Sequence, residues 1–391
     1  MKDDRMNTMI KYGLTSVLVL FLTSCDTLQK TTETSPALTT ADKKSEAAKI
    51  NKSNRITPRG LDYSKTVDKF AFSSCANQDQ PQPIWKTILA QDPNLFIFMG
   101  DNIYASRPEQ RPFSEQYNKL DKIPEYRDVR EKIPIMAIWD DHDYGQNDGG
   151  RDNPDKEMAR KEFLNYWNYV RDSIGLNQGP LYHSKIIGGT SIDKKRRRQI
   201  SKTVPSVHFI MLDTRWNRDP LIKNTDETQP LKKYLPNPDP KATILGETQW
   251  EWLEEELKKP VDLKILVSSI QVIAEDHGFE KWGNFPKEKE KLYDLIKKTK
   301  PKNLVILSGD RHFGAVAQTE IKGWGTLYDL TASSINKDSD LDEKDSSYQG
   351  EIYKKENFGL ASIDWTARNV KFEIKDIDGK TVNAVELKIK K

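Results

Sequence analysis

The chain has 391 residues, with 62 lysines and arginines against 59 aspartates and glutamates and a formal net charge of +3. Charged residues are 31% of the total yet nearly cancel, which argues against nucleic acid as an obligate electrostatic partner. The length allows a large buried core and up to two or three domains.

At the N-terminus Lys2, Arg5 and Lys11 precede an apolar stretch at 14–22 that ends in Leu22-Thr23-Ser24-Cys25. A charged head, a short apolar run and small residues before a cut describe an export signal, too short to persist as a spanning helix. The Leu-Thr-Ser-Cys ending resembles a bacterial lipobox, whose cysteine is lipidated after cleavage; the alternative is an ordinary signal with an incidental cysteine. The expected product is an exported protein, signal 1–24 removed, held by lipid on Cys25 at a bacterial membrane on the periplasmic or cell-surface side. Residues 26–57 are rich in Thr, Ser, Lys and Ala, so 25–60 is expected to be a flexible tether before a single domain at 61–391.

From there strand-like and helix-like segments alternate, an α/β pattern. Short apolar, β-branched or aromatic runs at 70–74, 95–99, 134–139, 207–212, 263–269 and 303–307 suit strands covered on both faces. Helices are expected at 83–90, 156–171, 246–259 and 287–300, where apolar residues recur at helical spacing. The basic block at 194–198 reads as a solvated hairpin loop, with a phosphate-attracting patch as the alternative. In the tail, 359–364, 370–375 and 381–388 alternate apolar and polar residues, and Asp378-Gly379 predicts a hairpin between the last two.

Chemistry gathers where strands stop. In open α/β sheets ligands bind beyond the carboxyl ends of the strands. Four runs end in Phe72-Ser73-Ser74-Cys75, Met99-Gly100-Asp101-Asn102-Ile103-Tyr104, Trp139-Asp140-Asp141-His142-Asp143 and Ser308-Gly309-Asp310-Arg311-His312. Together they predict one polynuclear metal centre. If Cys25 carries lipid, Cys75 has no intrachain partner; it is either buried and inert or a ligand. Asp101, after a glycine that lets the backbone turn tightly, is the expected bridging carboxylate. Tyr104 is either a half-buried ring with a bonded hydroxyl or a phenolate ligand; thiolate, phenolate and carboxylate together suit ferric iron. The packed acids 140–143 repel unless a cation neutralises them. His142 is placed to donate a hydrogen bond to a phosphoryl oxygen or to protonate a leaving oxygen. Asn147 is a weaker candidate ligand for a hard ion such as Ca²⁺.

Asp310 and His312, two apart on an extended chain, are expected to point to one face and reach one site, with Arg311 turned elsewhere. Arg215, in Leu212-Asp213-Thr214-Arg215, either clamps a phosphate or satisfies a carboxylate behind the metals. Gln271 is a minor candidate, and His183, His208 and His277 are taken as structural. Two cations about 3.5–4 Å apart turn water into hydroxide and stabilise in-line displacement at phosphorus, so the expected reaction is phosphoester hydrolysis.

In order, Ser-Ser-Cys, Gly-Asp-x-x-Tyr, Trp-Asp-Asp-His, Leu-Asp-Thr-Arg, Leu-Gly-x-x-Gln-Trp and Ser-Gly-Asp-x-His resemble the PhoD-like alkaline phosphatases of the calcineurin-like metallophosphoesterase superfamily, over roughly residues 68–370. The resemblance implies a four-layer α/β/β/α sandwich, action on phosphodiesters and some monoesters, and a centre of Fe³⁺ with Ca²⁺. It places Cys75, Asp101 and Tyr104 on the iron side and Asp141 at the usual Asn ligand position. His142 becomes the adjacent catalytic histidine, and Asp310 with His312 the closing ligand pair. The lipobox and tether stand where larger members carry a β-rich domain, and an extended C-terminal lid is shortened to strands. Two other readings are a Zn²⁺ or Mn²⁺ phosphomonoesterase and a non-catalytic surface lipoprotein that binds phosphorylated ligands.

Overall fold

The computed structural model describes residues 56–174, 179–193 and 198–391, and residues 56–391 form one compact unit. The signal, Cys25, most of the tether and most of the basic block lie outside the described residues.

Two six-stranded sheets carry the fold. In the first, β1 (Lys69–Ser73), β2 (Leu95–Met99) and β3 (Ile135–Ile138) run parallel. The antiparallel strands β12 (Asn357–Asp364), β13 (Asn369–Asp376) and β14 (Thr381–Lys388) extend it beyond β1. In the second, β5 (Arg198–Met211), β8 (Leu263–Val267), β9 (Leu304–Ser308) and β11 (Gly325–Ala332) are parallel neighbours. There β4 (His183–Asp193) and β10 (Gly314–Ile321) are antiparallel edges. A small ribbon, β6 (Ile222–Lys223) with β7 (Tyr234–Leu235), stands apart.

The period-2 alternation of side chains builds the layers. Phe70, Phe72, Ile97 and Met99 of the first sheet meet Phe209, Ile265, Val267 and Leu307 of the second in a shared core. The alternate residues Ala71, Phe96 and Phe98 face outward into a cluster with Trp85, Tyr126 and Phe163. Those come from helices α1 (Ile84–Ala90), α3 (Pro124–Lys132) and α5 (Lys156–Tyr166); α2 (Phe113–Leu120) and α6 (Asn168–Ile174) join them. On the far side Ile210, Leu266 and Ile306 pack on Trp250, Leu253 and Leu292 of α7 (Glu247–Lys258) and α8 (Pro286–Thr299). The result is the expected α/β/β/α sandwich.

The expected helix at 156–171 is two helices. Trp167 leaves helical dihedrals (φ −98°, ψ 68°), which seats its ring in the core beside Phe98. The run at 207–212 is the end of a much longer strand. The β10–β11 hairpin and the charged helices α2 and α3 have no counterpart among the expected elements, because their patterns are short and partly polar.

His183 is buried, with Nδ1 on the carbonyl of Leu181 and Nε2 near the Tyr169 hydroxyl. Burial pushes its pKa from 6.5 down to about 4. A lowered folded-state pKa means stability present above the unfolded value and lost as pH falls from 6.5 toward 4, about 3 kcal/mol in all. Urea unfolding at neutral and acid pH should therefore show a smaller acid loss in His183→Gln than in the parent. An equal loss in both would remove His183 from the pH dependence.

Candidate metal centre

Each sequence-predicted ligand stands just past a buried strand. β1, β2 and β9 end two residues before Cys75, Asp101 and Asp310; Asp140 and Asp141 follow β3, Asp141 opening the one-turn helix α4 (Asp141–Tyr144). The backbone then turns sharply. Cys75, Asp101, Asp310 and His312 all have positive φ, at 62°, 49°, 70° and 57°. Such conformations cost on the order of 1–3 kcal/mol each and persist where the surroundings over-determine them, often at functional sites. At Gly100 (φ 103°) a Cβ would stand 2.5 Å from the Asp140 Cβ, and one at Gly309 would stand 2.6 Å from the Ser74 hydroxyl. Only residues without side chains let these strand ends close on one another.

The ends converge. Ligand atoms of Cys75, Asp101 and His312 lie within 4.8 Å of one another, as do those of Asp101, Asp141 and His142, and those of Asp140, Asp141 and Asp310. Asp101 and Asp141 each belong to two of these groups, so the three form one continuous chain of donors. The Cys75 Sγ is 3.6 Å from Asp101 Oδ2 and 3.2 Å from the Ser333 hydroxyl. The Tyr104 hydroxyl lies 3.1 Å from His312 Nε2. His142 packs against the Tyr104 ring with centroids 4.1 Å apart and planes tilted by 33°; its Nδ1 is 2.9 Å from the Ser106 hydroxyl and its Nε2 4.0 Å from Asp101 Oδ2.

Electrostatically this is a site without enough positive charge. Burial and the neighbouring Asp141, Cys75, Asp140 and Asp143 raise the Asp101 pKa well above the carboxylate range. Burial pushes Asp310 up to about 7 and the Cys75 thiol up to about 11. Buried oxygens of Asp140 (Oδ2) and Asp141 (Oδ1) have no hydrogen-bond partner. A buried acceptor without a donor costs roughly 1–3 kcal/mol, more when charged. A thiol, a phenol, imidazoles and clustered carboxylates with orphaned oxygens fit cations of mixed hardness.

A family model for PhoD-like phosphatases matches residues 70–374. The chain belongs to the PhoD-like phosphatase family. Alkaline phosphatase D of Bacillus subtilis (strain 168) is 22% identical over 301 residues, covering 68% of this chain and 49% of the relative. The chain thus spans about half the length of that curated relative. Among solved structures, one titled as the structure of PhoD superposes with a TM-score of 0.60 at 16% identity, covering 85% of this chain and 70% of the other. A dimetal phosphatase from Danio rerio superposes with a TM-score of 0.51 at 11% identity, covering 83% of this chain and all of the other. These likenesses establish the metallophosphatase-type sandwich. Membership of the PhoD-like family and the donor clusters together indicate metal cofactors.

Several sequence expectations change on this scaffold. Asp310 and His312 do not lie on extended chain; left-handed residues send them to different ends of the donor chain. Arg215 is fully buried between Asp140 Oδ1 and Glu280 Oε2, the latter 2.7 Å away, an arrangement that matches the carboxylate-satisfying alternative. Asp143 stays outside the ligand clusters: its carboxylate accepts from the N–H groups of Asp140, Asn102 and Ile103, although burial still pushes its pKa up to about 7. Asn147 is exposed and donates to Asp148. Gln271 bonds Thr331 and Tyr348. His208 faces Glu256 at 2.9 Å, and His277 lies 3.9 Å from Glu343; neither joins a donor cluster.

Further residues complete the site beyond the ligands expected from the sequence motifs. Asp140 proves a cluster member, Ser106 orients His142, and Asp148 donates its N–H to Asp141 Oδ2 at 2.7 Å. Ser333 and Lys337 follow β11, whose end in Ala332-Ser333-Ser334 is a fifth strand ending beside the site. The Lys337 ammonium lies 5.3 Å from the Tyr104 ring centroid. In the Leu-Gly-x-x-Gln-Trp motif, Gln249 braces Asp213 and Trp250 donates to Glu288, so the motif is scaffold.

Proposed function

We propose that this chain is a metal-dependent phosphoester hydrolase, a phosphodiesterase or phosphatase of the alkaline phosphatase D type, exported and lipidated at Cys25 after removal of residues 1–24. The observation that carries the reading is the continuous donor chain built from four strand ends. Cys75, Asp101, Tyr104 and His312 would hold a ferric ion, Asp101 would bridge, and Asp140, Asp141 and Asp310 would hold a harder cation such as Ca²⁺. Such ions supply a lowered water pKa and positive charge for the phosphoryl oxygens.

The chain's own contribution is orientation. With the Ser106 hydroxyl donating to Nδ1, the proton of neutral His142 sits on Nε2, beside Asp101. Burial, aided by the positive charges of Arg215, Lys337 and Arg107 against the pull of Asp141, lowers the His142 pKa and keeps the ring neutral. His142 then donates a hydrogen bond to a phosphoryl or departing oxygen. Arg215 works from behind by fixing Asp140.

The test is elemental analysis and turnover of a bis-aryl phosphodiester by protein purified from its own compartment. Iron and calcium should co-purify, chelation should abolish turnover, and both ions together should restore it. A visible phenolate-to-iron absorption, absent in Tyr104→Phe, would report the iron side directly. Zinc or manganese with preference for monoesters would replace the proposed metals and substrate. Phosphodiester binding without turnover under any metal would favour a non-catalytic lipoprotein.

A further inference from the structure

The charge that nearly cancels over the whole chain is segregated within the fold. The carboxylate clusters occupy the carboxyl ends of β1, β2, β3 and β9. At the amino ends of the strands two adjoining cavities, about 470 and 540 Å³, share Lys300, Lys302 and Lys390 in their walls. Lys388 lines the first cavity, and Lys391 and buried Lys264 the second. Among the described residues, Lys300, Lys302, Lys388, Lys390 and Lys391 are exposed with no carboxylate in ion-pair range. Lys258 and Lys259 add to this face but are paired, with Glu254, Glu255 and Glu256. The side-chain carboxylates lining the two cavities are Asp262 and Glu386, and Asp262 is engaged by the N–H and hydroxyl of Ser206.

These lysines come from distant stretches and are fixed together. Asn303 bonds the backbone N–H of Lys390 through its side-chain oxygen and the Lys390 carbonyl through its amide nitrogen, pinning the end of the first sheet to the start of β9. Half-buried Trp324 and Tyr328 line the first cavity, the Trp324 indole donating to the carbonyl of Pro301. Amphipathic aromatics beside lysines are the side chains that settle at a membrane–water boundary. The start of the described chain runs to the same pole. The Arg59 N–H bonds the carbonyl of Arg130, just before β3, and the Tyr63 carbonyl accepts from Gly188, whose neighbour Gly189 lines the second cavity.

We infer that this lysine-lined pole is a docking face for anionic phospholipid headgroups, which sets the metal centre away from the bilayer. The inference is separate from the chemistry at the metals and takes from the proposed function only the anchoring of the chain at Cys25. Each lysine near an anionic surface strengthens binding by about fivefold, an effect that fades beyond a Debye length of about 8–10 Å. Five-residue β8 and β9 separate the two poles by roughly 17 Å at about 3.3 Å per residue, so the phosphoester is drawn from the aqueous side.

The test uses the mature chain from residue 25 with Cys25→Ser, so that no acyl chain contributes, in co-sedimentation with phosphatidylcholine vesicles with or without about 30% phosphatidylglycerol. Binding should require the anionic lipid and weaken at least about tenfold between about 50 and 300 mM salt. It should also fall at least about tenfold in Lys302→Glu/Lys388→Glu/Lys390→Glu, while turnover of a soluble phosphodiester stays unchanged. Equal binding to neutral vesicles, or a triple variant that binds like the parent, overturns the inference. Capture of soluble polyphosphate without binding to anionic vesicles overturns it too. Mass spectrometry of Cys25 in the native protein reports on the anchor separately.

Discussion

Asp101→Asn is expected to lower phosphodiester turnover by about 10³-fold, roughly 4 kcal/mol of transition-state stabilisation, and to remove at least one metal from the purified protein. Asparagine has the same shape and tolerates the left-handed conformation that Asp101 adopts at φ 49°, so the variant should fold. It lacks the charge that joins the Cys75 and His312 group to the Asp141 and His142 group. The stability readout has a sign that a generic loss of packing would not produce. Burial and neighbouring acids hold Asp101 well above the usual carboxylate range. A group whose folded pKa is raised loses stability as pH rises above its unfolded value, so in metal-free protein at neutral pH the carboxylate is a burden that asparagine removes. With chelator, the variant should melt at or above the parent. With metal, the parent should gain stability by mass action and the variant should gain little. Parent-like turnover and metal content in Asp101→Asn would dismantle the centre as described.

How much of this was legible depends on what each residue answers to. The strand ends were legible because a buried apolar run followed by a metal-ligand residue is a local pattern, and Cys75, Asp101, Asp141 and Asp310 all follow it. The four-layer stacking came from resemblance; the alternation of Phe96 and Phe98 against Ile97 and Met99 is consistent with it but does not specify which sheet lies opposite. Spacing and residue type alone do not separate Asp141 from Asp143; the family resemblance singles out Asp141. Their different fates depend on the N–H groups of Asn102 and Ile103, about 40 positions away, which turn to face Asp143. The separation of His312 from Asp310 was equally hidden, because it arises from two successive left-handed turns between β9 and β10. The role of Arg215 rests on Glu280, a residue with no motif around it.

Arg215→Met is accordingly expected to destabilise the protein by about 3–5 kcal/mol, the usual consequence of removing one partner from a buried ion pair. The Arg215 side chain is fully buried, with Nε on Asp140 and Nη1 on Glu280 at 2.7 Å and on the Gly149 carbonyl at 3.3 Å. Arg218 approaches the other Glu280 oxygen at 3.0 Å, so Glu280 would keep one guanidinium while Asp140 would lose the one side-chain cation paired with it among the described residues. Asp140 also accepts from the Ser269 hydroxyl at 2.6 Å and lies in the cluster with Asp141 and Asp310. Its displacement should therefore lower kcat and metal content while leaving KM for the phosphodiester within about threefold, since ground-state binding is not where Arg215 acts. Combining Arg215→Met with Asp140→Asn should cost less stability than the sum of the two single changes, because the second removes the charge that the first strands. A phosphate clamp would behave oppositely: unchanged melting, raised KM and rescue by added guanidinium. That pattern would return Arg215 to the substrate and leave the Asp140–Glu280 bridge without a function.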